Sequence, residues 1–143
     1  MRYLIVDGHS VIFAWPDLAA LHRTRATAAR HELERRLARY QDASGVRVVL
    51  VFDGRGSRVD AAGEPEGIQV FYSRRGQTAD SIIERLCARY AQQHELTVAS
   101  DDHMERQTAI SFGASTISTQ MLRGLLGAAR SELERRLREQ KGR

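Results

Sequence analysis

The chain has 143 residues, of which 42% are hydrophobic, enough for one domain with a buried core and too many for a disordered protein. The 22 Lys and Arg residues outnumber the 18 Asp and Glu residues, and the formal net charge of +4 permits a phosphate-rich partner without requiring one. A single cysteine excludes an intramolecular disulfide and a zinc site with several cysteines. No apolar run is long enough to span a membrane and the first residues do not resemble a secretory signal, so we expect a cytoplasmic protein.

The first segment has the pattern of a short buried strand that ends at an acid. Residues 2–6 are mainly apolar, and Asp7 and Gly8 follow directly. Because an unpaired carboxylate is costly in an apolar interior, we expect Asp7 at the mouth of a cleft, at the carboxyl end of the strand. The next apolar run predicts a short helix that is broken at Pro16. Trp15 is then a core or lid residue, or alternatively a ring on which a nucleic-acid base stacks.

The middle of the chain continues with a helix and two strands. Apolar residues at helical spacing predict a helix over residues 24–41, and a β-branched run predicts a strand over residues 46–52 that is buried on both faces. This strand ends at Asp53. Residues 54–67 are rich in glycine and charge, and their composition makes them the least ordered part of the chain. Residues 68–72 are predicted to form another strand.

The second half repeats the alternation. A basic loop over residues 73–77 precedes a helix for which Thr78 is a suitable N-cap, and Asp80 falls in the first turn of that helix. A further strand over residues 95–100 ends at Asp101. The remaining predicted elements are a short helix that reaches Phe112, a strand over residues 115–118 and a long final helix capped by Thr119.

Strands that alternate with helices predict a three-layer α/β/α sandwich with a mainly parallel sheet, formed as one domain by residues 1–143. In such sheets the ligand site lies outside the carboxyl ends of the strands. Asp7, Asp53 and Asp101 are all expected at that edge. The final helix, from about residue 119, could pair with a second copy of the chain, and the sequence leaves the oligomeric state open.

Several carboxylates in one place favour a hard divalent cation, because without one they repel each other. Mg²⁺ and Mn²⁺ prefer oxygen ligands, and such a cation can activate water and orient a phosphodiester. The candidate ligands are Asp7, Asp80 and Asp101, with Asp53 and Asp102 as weaker candidates. Taken singly, each acid is also explained as a turn residue or a helix cap. The acids alone do not distinguish an RNA nuclease from a DNA nuclease or a phosphatase.

These motifs, in this order, resemble the YacP-like branch of the NYN domains, within the PIN-like nuclease group. The residues that carry the resemblance are LIVDGHSVI (4–12), AWP (14–16), VFD (51–53), TAD (78–80) and SD (100–101). The resemblance implies a PIN-like fold and a metal-dependent endoribonuclease, a hydrolase that acts on RNA such as mRNA in bacterial RNA decay, with the ribosome as a further partner. It places the metal-site acids of the family on Asp7, Asp80 and Asp101, with Asp53 as a further position of the motif.

One dipeptide departs from the family pattern. His9 and Ser10 stand where the family usually has Tyr and Asn. Ser10 can still donate a hydrogen bond but is shorter than Asn. The departure therefore supports an alternative, a weak or inactive module of the same fold that binds RNA or the ribosome. We assign substrate contacts to Ser10, Arg74, Arg75 and Thr78, although the two arginines are equally explained as a solvated loop.

Overall fold

The computed structural model of the protein describes residues 1–54, 67–74 and 76–141. Most of the glycine-rich segment, residues 55–66, lies outside the described residues, and so does Arg75. The described strands are β1 (Arg2–Asp7), β2 (Arg47–Phe52), β3 (Gln69–Tyr72), β4 (Glu95–Ala99) and β5 (Ser115–Ile117). The described helices are α1 (Gly8–Ala14), α2 (Pro16–Thr24), α3 (Ala26–Ser44), α4 (Ala79–Tyr90), α5 (His103–Ser111) and α6 (Thr119–Lys141).

The five strands form one parallel sheet in the order β3-β2-β1-β4-β5. In this sheet β1 is central, since Asp7 is in register with Val51 of β2 and Val6 is in register with Ala99 of β4. The chain first adds β2 and β3 on one side of β1, and then returns to add β4 and β5 on the other side. The strand order therefore reverses between β1 and β4. In open parallel sheets, ligands bind in the crevice at such a reversal.

Helices cover both faces of the sheet, so the central strands are buried on both sides. On one face, Leu4 and Val6 of β1 pack in a core with residues of α1, α2, α3 and α6. On the other face, Ile5 packs with Ile83 and Cys87 of α4 and with α5. The predicted three-layer arrangement with a parallel sheet is confirmed. The single cysteine, Cys87, is a buried core residue, and burial raises the pKa of its thiol to about 11.

Local sequence signals set the helix ends. Gly45 ends α3 with a φ of 76°, a conformation that glycine adopts without a Cβ penalty. Thr78 begins α4 as predicted: its Oγ1 accepts from the Ser81 N–H at 3.1 Å, and its own N–H donates to Ser81 Oγ at 3.2 Å. Helix α2 is not among the helices predicted from the sequence. The first helix ends before Pro16 as expected, but Pro16 also begins a second helix, where its missing N–H carries no cost.

Helix α6 begins at Thr119, but the predicted cap is wrong: Ser118 Oγ, not Thr119, accepts from the Met121 N–H at 3.1 Å. The apolar stripe of α6 is only partly covered. Leu122 is fully buried, whereas Leu133 and Leu137 are 46% and 51% exposed. Arg135 forms ion pairs with two glutamates of the same helix, which is typical of a solvated helix surface. In the part of the chain that the structure describes, no helix combines the length and the apolar character that crossing a lipid bilayer requires.

Candidate metal centre

Three carboxylates converge at the point where the strand order reverses. Asp7 ends β1, Asp80 lies in the first turn of α4, and Glu105 lies in the first turn of α5. Each contributes one oxygen atom to a group in which all three atoms lie within 4.8 Å of one another. Asp7 and Glu105 are buried and Asp80 is exposed, so this acid cluster opens to solvent on the side of Asp80. The sequence indicated Asp7 and Asp80, but not Glu105.

Two hydroxyl groups hold the carboxylate of Asp7. Ser10 Oγ donates to Asp7 Oδ2 at 3.1 Å, and Ser100 Oγ donates to the same oxygen at 3.4 Å. Ser10 lies in α1 and Ser100 directly follows β4, so these hydrogen bonds join the two sides of the reversal point. Burial raises the pKa of Asp7, the hydrogen bonds from Ser10 oppose that rise, and the charge of Asp80 adds to it.

Glu105 is the most strongly perturbed acid of the cluster. Glu105 is only 5% exposed, and its carboxyl group lies against those of Asp80 and Asp7, without a hydrogen bond from any described N–H group. Burial raises the pKa of Glu105 to about 10, and the neighbouring carboxyl groups of Asp80 and Asp7 add to the rise. Glu105 therefore carries a proton at neutral pH when no cation is bound. The carboxyl oxygens of Glu105 would ligate a cation bound here, and the cation would favour their charged form.

The donor set fits a hard divalent cation. The cluster offers carboxylate oxygens alone, without histidine or cysteine, and such a set suits Mg²⁺ or Mn²⁺ better than Zn²⁺. A pocket of about 170 Å³ lies beside the cluster and is lined in part by Asp80 and Glu105. A larger cavity of about 380 Å³ between α3 and α6 contains none of the three acids. The chemistry of the donors, rather than the size of the cavity, identifies the candidate site.

Two of the other acids cap the helices that carry members of the cluster. Asp53 Oδ1 accepts a hydrogen bond at 2.7 Å from the N–H of Ala79, the first residue of α4. Asp53 thus fixes the start of the helix that presents Asp80. Asp102 Oδ1 accepts from the N–H of Glu105 at 3.2 Å and caps α5. Both acids therefore position ligand candidates, and direct contact of either with a cation stays a prediction.

Asp101 is bonded to the start of α6. Its Oδ1 accepts from the Thr119 N–H at 2.9 Å, and its Oδ2 accepts from Thr119 Oγ1 at 2.7 Å. Among the described residues, the group of three acids does not include Asp101, and its assignment as a ligand stays a prediction. Trp15 joins the same junction, since its Nε1–H donates to the Thr119 carbonyl at 3.1 Å. Trp15 is only 3% exposed, which confirms its expected place in the core.

The residues assigned to substrate contact lie around the start of α4. Arg74 is exposed and lines a surface groove of about 550 Å³ together with Arg85 and Arg89 of α4. Three guanidinium groups along one groove suit the phosphates of a nucleic-acid backbone. The side chain of Thr78 is engaged in the cap of α4, and Arg75 lies outside the described residues. These substrate contacts stay predictions.

Glu105 is not among the ligands predicted from the sequence, because the start of α5 is polar and the acids Asp101 and Asp102 precede it at the end of the strand. A signal was nevertheless present. Ala109, one turn later, is buried on the same face of α5, so Glu105 occupies an apolar helix face on which a charged residue is rarely found without a partner.

Comparison with known proteins identifies the family. The family model of the YacP-like NYN domain matches residues 4–143. The chain belongs to this family. Uncharacterized protein YacP from Bacillus subtilis (strain 168) is 30% identical over 141 residues, which cover 97% of this chain and 83% of that protein. NYN domains are generally nuclease-like, and the chain carries acids that could hold a metal ion.

Solved structures agree with this assignment. The crystal structure of Rae1 (YacP) from Bacillus subtilis has a TM-score of 0.83 at 29% identity and covers 99% of this chain and 83% of its own. A point mutant of the same protein has a TM-score of 0.84 at 29% identity and covers 99% of this chain and 84% of its own. The chain thus shares the fold of this family over nearly its whole length.

Proposed function

We propose that the protein is a Mg²⁺- or Mn²⁺-dependent endoribonuclease that cleaves the phosphodiester bonds of single-stranded RNA. The observation that carries the proposal is the convergence of Asp7, Asp80 and Glu105 within 4.8 Å at the reversal point of the sheet. Membership of a nuclease-like family supports a phosphodiester as the bond that is cleaved. The choice of mRNA and the ribosome as a partner depend on the resemblance alone, whereas the cytoplasm as the location depends on sequence features. All three stay predictions.

Asp7, Asp80 and Glu105 are the residues that would hold the cation. When bound, the cation supplies the positive charge that activates a water molecule and stabilises the charge that develops on the phosphate. Ser10 orients Asp7 for this role through its hydrogen bond. Because its raised pKa keeps Glu105 protonated in the cation-free protein, Glu105 would have to release its proton to solvent to ligate the cation. Asp101 is a further candidate ligand, because it leaves β4 at the same edge of the sheet.

The RNA backbone is proposed to contact the groove that Arg74, Arg85 and Arg89 line. Guanidinium groups donate two hydrogen bonds to a phosphate and can fix its position without reading the base sequence. The hydroxyl groups of Ser10 and Thr78 bond to neighbouring protein groups. We therefore expect both residues to affect the substrate through the groups that they position.

The alternative function is an RNA-binding module without activity, which the departure at His9 and Ser10 suggested. Ser10 Oγ donates to Asp7 Oδ2 at 3.1 Å, so the residue at this position still orients a carboxylate of the cluster. This contact favours an active enzyme.

The test is cleavage of a labelled single-stranded RNA by the wild type and by Asp7→Asn, Asp80→Asn and Glu105→Gln. We expect cleavage in Mg²⁺ or Mn²⁺, none with a chelator, and a loss of at least about 100-fold in each variant. Asp42→Asn is the matched control, because Asp42 is an exposed carboxylate near the end of α3, at the opposite edge of the sheet. This variant should cleave as the wild type does.

The possible results separate the candidate functions. Full activity in both aspartate variants would remove the acids from the mechanism. Salt-dependent RNA binding by the wild type without cleavage would support the inactive module instead. Matched DNA and a small phosphate ester, assayed in parallel, establish whether RNA is the preferred substrate.

A further inference from the structure

Five aromatic rings form a continuous row beside the acid cluster, and the row includes one fully buried ring and one exposed ring. Its members, in order, are His22, Phe13, His9, Phe52 and Tyr72. The ring of Phe13 stacks on that of His9 with centroids 5.7 Å apart and an angle of 16° between the planes. His22 meets Phe13 edge to face at 5.0 Å. At the other end of the row, Phe52 stacks on the half-buried Tyr72 with centroids 5.4 Å apart.

The inner part of the row is fixed by the core. Phe52 is fully buried and contacts His9 edge to face, with centroids 5.4 Å apart. Its ring lies so close to Gly8 that a Cβ at this glycine would be 2.3 Å from Phe52 Cε1. The turn from β1 into α1 therefore requires glycine, and the ring of His9 is held by a close-packed neighbour. The outer rings are thus preorganised.

Phe13 is the exposed ring of the row, whereas His9 and His22 on either side of it are half-buried. Phe13 is 60% exposed although its ring already stacks on His9. Trp15, the aromatic residue that follows α1 directly, is buried instead. A single exposed apolar residue is common on protein surfaces. Nucleic-acid bases, in contrast, stack on exposed aromatic rings that neighbouring groups hold in place.

The row lies next to the acids. His9 comes two residues after Asp7. Burial lowers the pKa of His9, and the nearby negative charges of Asp53 and Asp7 oppose that shift. Arg30 is also close enough for its positive charge to act on His9. An aromatic surface with acids on one side and a guanidinium group nearby can accommodate a base together with its phosphate.

We propose that Phe13, supported by His9, is a stacking platform for an unpaired base of the nucleic acid whose backbone reaches the acid cluster. This inference depends on the proposed function for its ligand, and it replaces Trp15 with Phe13 as the stacking residue. A base in a duplex has no free face, so the platform selects single-stranded RNA. The stacked base would lie close to Asp7, and its phosphate close to the site of cleavage.

The test measures stacking without cleavage. The probe is a short single-stranded RNA with 2-aminopurine at one position, whose fluorescence is quenched when the base stacks on a ring. The protein carries Asp80→Asn, which by the proposed function prevents cleavage, and the buffer contains a chelator. In this background, Phe13→Ala should bind roughly 5- to 150-fold more weakly and lose the quenching. Phe13→Tyr, which keeps a ring, should retain both.

The matched control is Ile110→Ala, since Ile110 is 50% exposed on α5, on the opposite face of the sheet. This variant should bind and quench as the parent does. Equal quenching and affinity in Phe13→Ala and the parent would overturn the inference, and so would equal binding of a duplex. These results are independent of the cleavage assay. Quenching that depends on Phe13, together with a wild type that does not cleave RNA in Mg²⁺ or Mn²⁺, would refute the nuclease and leave the platform standing.

Discussion

Replacing Glu105 by glutamine should stabilise the cation-free protein at neutral pH. Glutamine has the shape of the protonated glutamate and cannot ionise. In the unfolded chain Glu105 loses its proton near pH 4.5, whereas burial and the two neighbouring acids raise its pKa in the folded protein to about 10. The folded protein therefore binds more protons than the unfolded chain between these two values. Within that window the wild type loses stability as the pH rises, and Glu105→Gln lacks this loss.

The magnitude follows from the width of the window. Between pH 4.5 and pH 7, a span of about 2.5 pH units, the free energy of unfolding of the wild type falls by ~1.36 kcal/mol per unit. The total loss is at most about 3 kcal/mol. Solvent that enters beside the exposed Asp80 reduces the effect, so we expect Glu105→Gln to gain about 1–3 kcal/mol at pH 7. In a domain of this size the gain corresponds to roughly 2–12 °C in Tm.

The assay is thermal and denaturant unfolding at pH 4.5 and pH 7, with a chelator present. Glu95→Gln is the control, because Glu95 is exposed at the start of β4, at the opposite edge of the sheet. The stability of Glu105→Gln relative to the wild type should increase from pH 4.5 to pH 7. An unchanged difference would refute the protonated state of Glu105. Added Mn²⁺ should stabilise the wild type and narrow the difference.

Three further substitutions test the packing and the helix caps. Gly8→Ala should lower the free energy of unfolding by about 1–3 kcal/mol, because its Cβ would clash with Phe52; an unchanged denaturation midpoint would show that the turn relaxes. Asp53→Ala should cost about 1 kcal/mol in the same assay, since the first N–H of α4 loses its acceptor; no change would mean that water replaces it. Asp101→Ala should cost about 1–2 kcal/mol through its two hydrogen bonds with Thr119. A fall in Mn²⁺ affinity without loss of stability would instead identify Asp101 as a ligand.

The sequence predicted the features that local patterns control. Apolar runs of β-branched residues became the central strands, and the acid that directly follows the first run became the buried Asp7 at the carboxyl end of β1. Thr78 marked the start of α4 because its side chain caps the helix, and this also fixed the place of Asp80. These features need only residues that are close in the chain, so a single sequence is sufficient to find them.

The membership of the acid cluster could not be predicted in full, because it depends on the strand order. An acid at a strand end can turn toward a cation or toward the free N–H groups of a nearby helix. Asp53 and Asp101 bond to the starts of α4 and α6, respectively. Glu105 reaches Asp7 only because β4 lies beside β1 in the sheet. No spacing within the chain encodes that adjacency.

The most direct measurement of the central claim is Mn²⁺ binding, by titration calorimetry on the wild type, Asp80→Asn, Glu105→Gln and the control Asp42→Asn. If the acid cluster holds the cation, Asp80→Asn and Glu105→Gln should bind Mn²⁺ at least about 10-fold more weakly than the wild type. Asp42→Asn should bind as the wild type does. Equal affinity in all four proteins, or a folded wild type that does not bind Mn²⁺, would contradict the account.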